Sequence, residues 1–304
     1  MLADRNGAAV PLPLAPGLYV HPRVSRDGSR LAVGIDNGQE ANVWIYELAG
    51  TTELRKLTFG GHNRFPIWSA DGKWVAFQSD REGDLAIFRQ RADGTGTAER
   101  LTKPDQGAAH VPESSSPDGR RLMFAVNKDS TFSLQTLSLD DRKTTPFGEV
   151  RSAEPIGAVF SPDGRWVAYS SSPQRAGPPS PNRGVYVQPF PPTGARYQIP
   201  SSRTNFHPVW RPDRPALFYI AGAGRLAEVS LQTGPSITFG KTVDLPGPLM
   251  QDSRSTEVRD YDILPDGRFI GFVAGQDTSG NVGEPEIRLV LNWFEELRQR
   301  VRVR

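Results

Sequence analysis

The chain of 304 residues contains no cysteine, and histidine is rare, with four residues in all. The lack of cysteine excludes disulfide bonds, thiolate metal sites and a cysteine nucleophile. No apolar run is long enough to span a bilayer, and Met1 to Arg5 show no apolar core of a signal peptide. We therefore expect no membrane insertion, and a chain that stays where it is made.

Signatures of several enzyme classes are also missing. The sequence has no glycine-rich kinase loop, no H-R-D and no D-F-G, and it lacks the G-x-S-x-G elbow of serine hydrolases and the H-E-x-x-H motif of zincins. The formal net charge of +2 gives no indication of nucleic-acid binding. These absences favour a protein that is not an enzyme, although they leave metal-dependent chemistry open.

One short phrase recurs six times along the chain. It has the form Ser-Pro-Asp-Gly or a close variant, and its aspartates are Asp27, Asp71, Asp118, Asp163, Asp213 and Asp266. Steps of 44, 47, 45, 50 and 53 residues separate them. This period matches one four-stranded propeller blade and is too long for leucine-rich repeats. The sequence therefore predicts an all-β, six-bladed β-propeller of four-stranded antiparallel blades.

Short apolar strands follow each of these turns, as in Trp74 to Phe77 and Trp166 to Tyr169. They are apolar on both faces, which is expected of sheets packed between neighbouring blades. The sixth blade has a third strand at Ile287 to Val290 but no fourth. We expect the segment Val10 to Leu14 to supply it and so close the ring.

The unbroken repeat indicates one domain over residues 1–304, most simply a monomer, with a short helical tail at about 293–304. Trp293 to Leu297 begin this tail. Its arginines are expected to be solvated, because nothing else in the charge pattern indicates a partner for them.

The repeat, clearest at Ser161 to Tyr169, resembles the WD40-like (PD40) repeat of TolB-type propellers. Together with Ala3 to Gly7 and the ending Val290 to Leu297, it is most similar to the propeller regions at the C-terminus of bacterial eukaryotic-like serine/threonine kinases. The resemblance implies a protein-binding or sensor module. It also implies a periplasmic or extracytoplasmic location if the chain belongs to a membrane-anchored kinase, and a cytoplasmic one otherwise.

The histidines share one position in the repeat. His21, His62, His110 and His207 all precede a repeat aspartate by six to nine residues, where the innermost strand of a blade begins. Propeller topology places all such positions on one face, around the mouth of the central channel. We therefore predict a ligand site there, formed by these four histidines and Asp260, that binds a protein, a peptide or a small ligand.

A stricter alignment selects a smaller group. His207, Asp260 and His21 lie six residues before the aspartates of blades five, six and one, which are consecutive in a closed ring. Two imidazoles and a carboxylate could hold one divalent metal ion and support a carbohydrate lyase or hydrolase reaction. Three interpretations stay open: a non-catalytic binding or sensor module without a cofactor, which we favour, this metal enzyme, and a scaffold without a ligand.

Overall fold

The computed structural model describes residues 1–272, except 7, 16, 50–52, 175–181, 201–203, 223–224, 235 and 247–255. Two compact units divide the chain at residue 273, and the described residues all belong to the first. The predicted helical tail and the strand at Ile287 to Val290 lie outside the described residues.

The described part forms six four-stranded antiparallel sheets. The two strands nearest the N-terminus are β1 (Leu2–Ala3) and β2 (Ala9–Val10). Blade one contains β3 (Tyr19–Val24), β4 (Arg30–Asp36), β5 (Ala41–Glu47) and β6 (Arg55–Lys56). Blade two contains β7 (Asn63–Trp68), β8 (Trp74–Ser79), β9 (Ala86–Arg91) and β10 (Glu99–Arg100).

Blade three has the longest strands, β11 (Ala108–Ser115), β12 (Arg121–Lys128), β13 (Thr131–Ser138) and β14 (Thr144–Ser152). Blade four contains β15 (Val159–Phe160), β16 (Trp166–Ser171), β17 (Gly184–Pro189) and β18 (Tyr197–Gln198). Blade five contains β19 (Asn205–Trp210), β20 (Ala216–Ala221), β21 (Arg225–Thr233) and β22 (Ile237–Asp244). Blade six ends the series with β23 (Asp262–Ile263) and β24 (Phe269–Ile270). The predicted six-bladed fold is confirmed.

The N-terminus closes the ring, as the sequence predicts, but it supplies two strands where one was expected. In blade six the order is β23-β24-β1-β2, with Leu2 opposite Ile270 and Ala3 opposite Phe269. The third position is therefore taken by β1, where the sequence favoured Ile287 to Val290. The outermost strand ends at Val10, where it was expected to begin.

Hydrophobic clusters fill the spaces between neighbouring blades. Trp166 of blade four packs with Trp210 and Leu217 of blade five, for example, and Leu31 of blade one packs with Ile270 of blade six. The apolar residues on both faces of each sheet are thus buried against both neighbours. Burial on this scale stabilises the ring, because each apolar Å² removed from water contributes about 25 cal/mol.

In blades one to four, each Asp-Gly turn is held by its own serine and aspartate. In blade one the Ser25 hydroxyl donates to Asp27 Oδ1 at 2.5 Å and accepts from the backbone N–H of Arg30 at 2.9 Å. Gly28 has a φ of +74°, which explains the glycine. In blade five, where Arg211 and Arg214 replace serine and glycine, the Arg211 guanidinium pairs with Asp213 at 2.7 Å instead.

Candidate functional site

The blade topology gives the ring two faces. The Asp-Gly turns between the first and second strands lie on one, which we call the turn face. The loops that lead into the innermost strands lie on the other, the loop face. The inner strands β3, β7, β11, β15, β19 and β23 run between the two faces and surround the central channel. Residues along these strands therefore occupy different levels of the channel.

The first level, which we call the histidine level, is a ring of residues with left-handed backbone. It consists of His21 (φ +52°), Phe65 (+56°), Gly157 (+60°) and His207 (+55°), each six residues before a repeat aspartate. His21, Phe65 and His207 lie in β3, β7 and β19. In each of these strands the pairing register shifts at that residue, as between Val20 and Arg23 in β3. The histidines therefore occupy β-bulges that direct their side chains away from the regular sheet.

His207 is fixed at its bulge by groups from two neighbouring blades. Its backbone N–H donates to the Ser170 hydroxyl at 2.9 Å, and its carbonyl accepts from the Tyr261 hydroxyl at 2.6 Å. Its Nε2 lies 2.8 Å from the Glu257 carbonyl oxygen, which makes that nitrogen the protonated one. Burial lowers the pKa of His207 to about 3, so the imidazole is neutral near neutral pH.

His21 occupies the same position in blade one and has a similar environment. Its ring lies 4.7 Å from that of Phe65, measured between centroids. Burial, and then the positive charge of Arg23, lower the pKa of His21 to about 3. The Nδ1 atoms of both His21 and His207 are buried without a hydrogen-bond partner. These two atoms are the unused polar groups of the histidine level.

The other two predicted site histidines lie elsewhere. His62 is an accessible residue that pairs with Asp80 at 2.8 Å through Nδ1, while its Nε2 lies 3.1 Å from the Gln39 carbonyl. His110 packs on Phe124, with ring centroids 4.9 Å apart, and lines a separate cavity of about 720 Å³ between blades two and three. The structure therefore brings His21 and His207 to equivalent channel positions and places His62 and His110 outside that pair.

Asp260, the third member of the predicted metal group, is partly accessible. Its negative charge raises the pKa of Arg23, but burial lowers that pKa by more. Within the part of the chain that the structure describes, no three histidine, aspartate or glutamate side chains are grouped as metal ligands. At the histidine level the described residues thus offer two buried, unpartnered imidazole nitrogens, but not a complete ligand set.

A second level of the channel is open. A cavity of about 440 Å³, which we call the central cavity, lies at the turn face and is lined by residues of all six blades. Its wall includes Trp68 and Trp210. The indole N–H of Trp68 donates to the Arg23 carbonyl at 2.9 Å, and that of Trp210 to the Val159 carbonyl at 3.1 Å. Apolar surfaces held by a few polar groups are typical of ligand sites.

The charged residues of the central cavity are concentrated in three blades. Arg259 pairs with Asp262 at 3.4 Å, and Arg23 Nη1 donates to the Arg259 carbonyl at 3.0 Å. Both guanidinium groups have a buried Nε without a partner. Burial, and then the charge of Arg259, lower the pKa of Arg23 to about 9, and burial raises the pKa of Glu113 to about 7. The repeat did not predict this level, because Arg23, Arg26 and Arg259 occupy three different positions relative to the repeat aspartates.

Arg26 crosses the mouth of the central cavity. It stands in the turn of blade one, where four other copies of the repeat have proline. Its guanidinium donates to the carbonyl of Pro117 in blade three at 3.1 Å and to that of Pro162 in blade four at 3.4 Å. The side chain is exposed, and both of these bonds go to backbone oxygens. The departure from proline was visible in the sequence, but the contacts across the ring were not.

A groove continues from the central cavity between blades two and three. It has a volume of about 450 Å³ and shares Ser69, Ala70, Ser115 and Pro117 with the central cavity. Trp74 and Leu139 line its outer part. We call it the side groove. Cavity and groove together form a continuous depression on the turn face.

Comparison with solved structures shows the same architecture. A TolB from Agrobacterium tumefaciens superposes with a TM-score of 0.60 over 85% of this chain and 90% of that one, at 19% identity. An oligogalacturonate lyase in complex with manganese superposes with a TM-score of 0.55 over 87% of this chain and 80% of that one, at 16% identity. The fold is thus that of a six-bladed propeller, with a TolB among its structural neighbours. At these identities the likeness concerns the fold.

Sequence comparison adds only distant relatives. Over 150 residues, 47% of this chain, it is 31% identical to a peptidase named YuxL from Bacillus subtilis, of which it covers 22%. Over 133 residues it is 30% identical to tricorn protease homolog 1 of Streptomyces coelicolor, of which it covers 12%. The chain therefore spans less than a quarter of the length of each of these proteins. No protein-family profile matches it, and none of these comparisons shows the kinase-linked resemblance. No helix among the described residues could cross a membrane.

Proposed function

We propose that the propeller is a non-catalytic binding or sensor module that receives a peptide segment or a small ligand in the central cavity. The observation that carries this proposal is the cavity itself, which is lined by all six blades and continues into the side groove. Its walls combine two tryptophans with several arginines, the residue types that dominate binding surfaces. An extended ligand fits a depression of this form better than a compact one.

This proposal moves the site from one face to the other. The sequence favoured the loop face, where the inner strands begin, because the histidines gather there. The histidine level is packed and its backbone is bonded to neighbouring blades, whereas the central cavity opens at the turn face. Accessible volume together with convergent polar groups is what a ligand needs, so the turn face is the better site.

The test is selection of binding peptides from a displayed library. The wild-type propeller should enrich a set of related peptides. Ala70→Trp, at the junction of the central cavity and the side groove, should abolish their binding, and Glu53→Trp, an exposed substitution in an outer loop of blade one, should not. Failure to enrich any peptide would exclude a peptide as the ligand, and binding that Ala70→Trp leaves unchanged would contradict the proposal.

A metal-dependent carbohydrate lyase or hydrolase is the second candidate. The observation that favours it is the pair of unpartnered Nδ1 atoms of His21 and His207, in a fold shared with oligogalacturonate lyases. Elemental analysis of protein purified without chelator tests it directly. Near-stoichiometric metal that disappears in a His21→Ala/His207→Ala double variant would support this candidate, and metal-free wild-type protein would remove it.

A further inference from the structure

The three arginines of the central cavity have different surroundings. Among the described residues that line it, Arg23, Arg26 and Arg259 face two carboxylates, those of Glu113 and Asp262. Asp262 is shared, because it pairs with Arg259 and also accepts the backbone N–H of Val24 at 2.9 Å. Asp260 adds a third carboxylate near Arg23. Arg26, at the exposed mouth, has no ion pair among the described residues and donates to backbone carbonyls.

Glu113 does not neutralise Arg26. Its carboxylate accepts the backbone N–H of Ala158 at 2.9 Å, on the inner strand of blade four. Arg26 donates to two backbone carbonyls at the mouth instead. Guanidinium groups bond carboxylates more strongly than they bond neutral carbonyls, because both partners then carry charge. The contacts of Arg26 are thus ones that a carboxylate can displace.

Arg26 is not needed for the turn in which it lies. Pro117, Pro162, Pro212 and Pro265 occupy the equivalent position in other blades, and proline suits this position of a turn. The Ser25 and Asp27 side chains make the same bonds as their counterparts around Pro117. The arginine therefore adds a long cationic side chain at the cavity mouth without a local structural reason.

We infer that the central cavity binds a ligand through one carboxylate group. Arg26 binds this carboxylate at the mouth, and Arg23 and Arg259 supply positive charge deeper in the cavity. This inference rests on the proposed binding function and specifies its ligand class. A single negative charge matches the one arginine at the mouth that donates to neutral carbonyls, whereas a phosphate dianion would meet the carboxylates of Glu113 and Asp262. The tryptophan walls then contact the apolar part of the ligand.

The carboxylate could belong to a peptide or to a sugar acid, and matched probes separate these sources. The first pair is an N-acetylated tripeptide, Ala-Ala-Phe, with a free C-terminal carboxylate or with a C-terminal amide. The second pair is glucuronate and glucose, and inorganic phosphate is a fifth probe. Binding is followed by calorimetry and by tryptophan fluorescence, because Trp68 and Trp210 lie in the wall.

The informative variant is Arg26→Pro, which installs the residue that the repeat already has elsewhere and should leave the melting temperature unchanged. Arg165→Gln is the matched control, since Arg165 lies on the same face but pairs with Asp163 at 2.7 Å outside the cavity. We expect the carboxylate member of at least one pair to bind and its neutral partner not to bind. Arg26→Pro should weaken that binding about tenfold, and Arg165→Gln should not.

Three results would overturn the inference. They are equal binding of neutral and carboxylate probes, carboxylate binding that Arg26→Pro leaves intact, and no binding of either carboxylate probe up to about 10 mM. Tighter binding of phosphate than of carboxylates would also contradict it. If library-selected peptides still bind and Ala70→Trp blocks them, the binding function stands and the carboxylate inference alone fails.

Discussion

Two levels of the same channel, built from the same six inner strands, have opposite properties. At the histidine level, His207 is buried and its backbone is bonded to Ser170 and Tyr261. Towards the turn face, the central cavity has an open volume, and Arg26 crosses its mouth. The difference shows that the position of a residue in the repeat determines where its side chain lies in the channel. The surrounding residues determine whether that side chain is packed or accessible to a ligand.

The left-handed backbone at the histidine level fits a structural role. A non-glycine residue with positive φ costs on the order of 1–3 kcal/mol and persists when surrounding bonds over-determine it. At His207 these bonds include Arg259 Nη1 donating to the Pro208 carbonyl at 3.1 Å. Arg259 also lines the central cavity. Arg259 thus connects the two levels. It bonds the backbone next to His207 and carries a positive charge in the wall of the central cavity.

The largest expected effect is a difference in the free energy of unfolding between variants at the two levels. His207→Ala removes a fully buried side chain, and we expect the free energy of unfolding to fall by about 2–4 kcal/mol. Arg26→Pro at the central cavity should change it by less than about 0.5 kcal/mol. Chemical denaturation measures both, with His62→Ala as the control for a histidine outside the channel. Equal losses for His207→Ala and Arg26→Pro would remove the distinction between a packed and an open level.

Glu113→Gln tests the level of the central cavity through the pH dependence of the free energy of unfolding. The folded state raises the pKa of Glu113 to about 7, so it binds a proton more tightly than the unfolded chain does. The stability from this group is fully present below about pH 4.5 and is lost as the pH rises to about 7. At pH 8 we expect Glu113→Gln to be more stable than wild type by about 1–3 kcal/mol, and the difference to shrink at pH 4.5.

Denaturation curves at the two pH values test this sign. The glutamine oxygen can still accept the Ala158 N–H, so the variant keeps the bond and removes the charge. A variant that is less stable than wild type at pH 8 would show that the Glu113 charge is compensated by the arginines. Burial would then not be the dominant influence on the pKa of Glu113.

Tyr261→Phe has a smaller expected effect, and it acts on the histidine level from blade six. The substitution removes the hydroxyl that donates to the His207 carbonyl at 2.6 Å and leaves that buried carbonyl without this donor. We expect a loss of about 1–2 kcal/mol in the free energy of unfolding. Ligand binding in the central cavity should be unchanged, because Tyr261 does not line it. A stable variant with lost binding would instead mean that the levels are coupled.

The repeat phrase was enough to predict the six blades and the ring closure, because each Asp-Gly turn is a local structure built by residues within five positions of each other. It did not predict that Leu2–Ala3 is the third strand of blade six, since Ile287 to Val290 has equally good strand character and the choice depends on contacts across the ring. Metal binding by His21, His207 and Asp260 stays a prediction.

The candidate site was predictable only in part, for the same reason. The sequence places His21 and His207 at equivalent channel positions, but it cannot show their left-handed backbone, which is unusual before proline. Arg26 is visible as a departure from the repeat. Its bonds to Pro117 and Pro162 depend on the diameter of the ring, which no local pattern encodes.

The most direct test of the central claim is a crystal structure of the propeller with a library-selected peptide bound. The account predicts peptide density in the central cavity between Trp68 and Trp210, extending into the side groove, with a peptide carboxylate at Arg26. Density on the loop face at His21 and His207, with an empty central cavity, would contradict it.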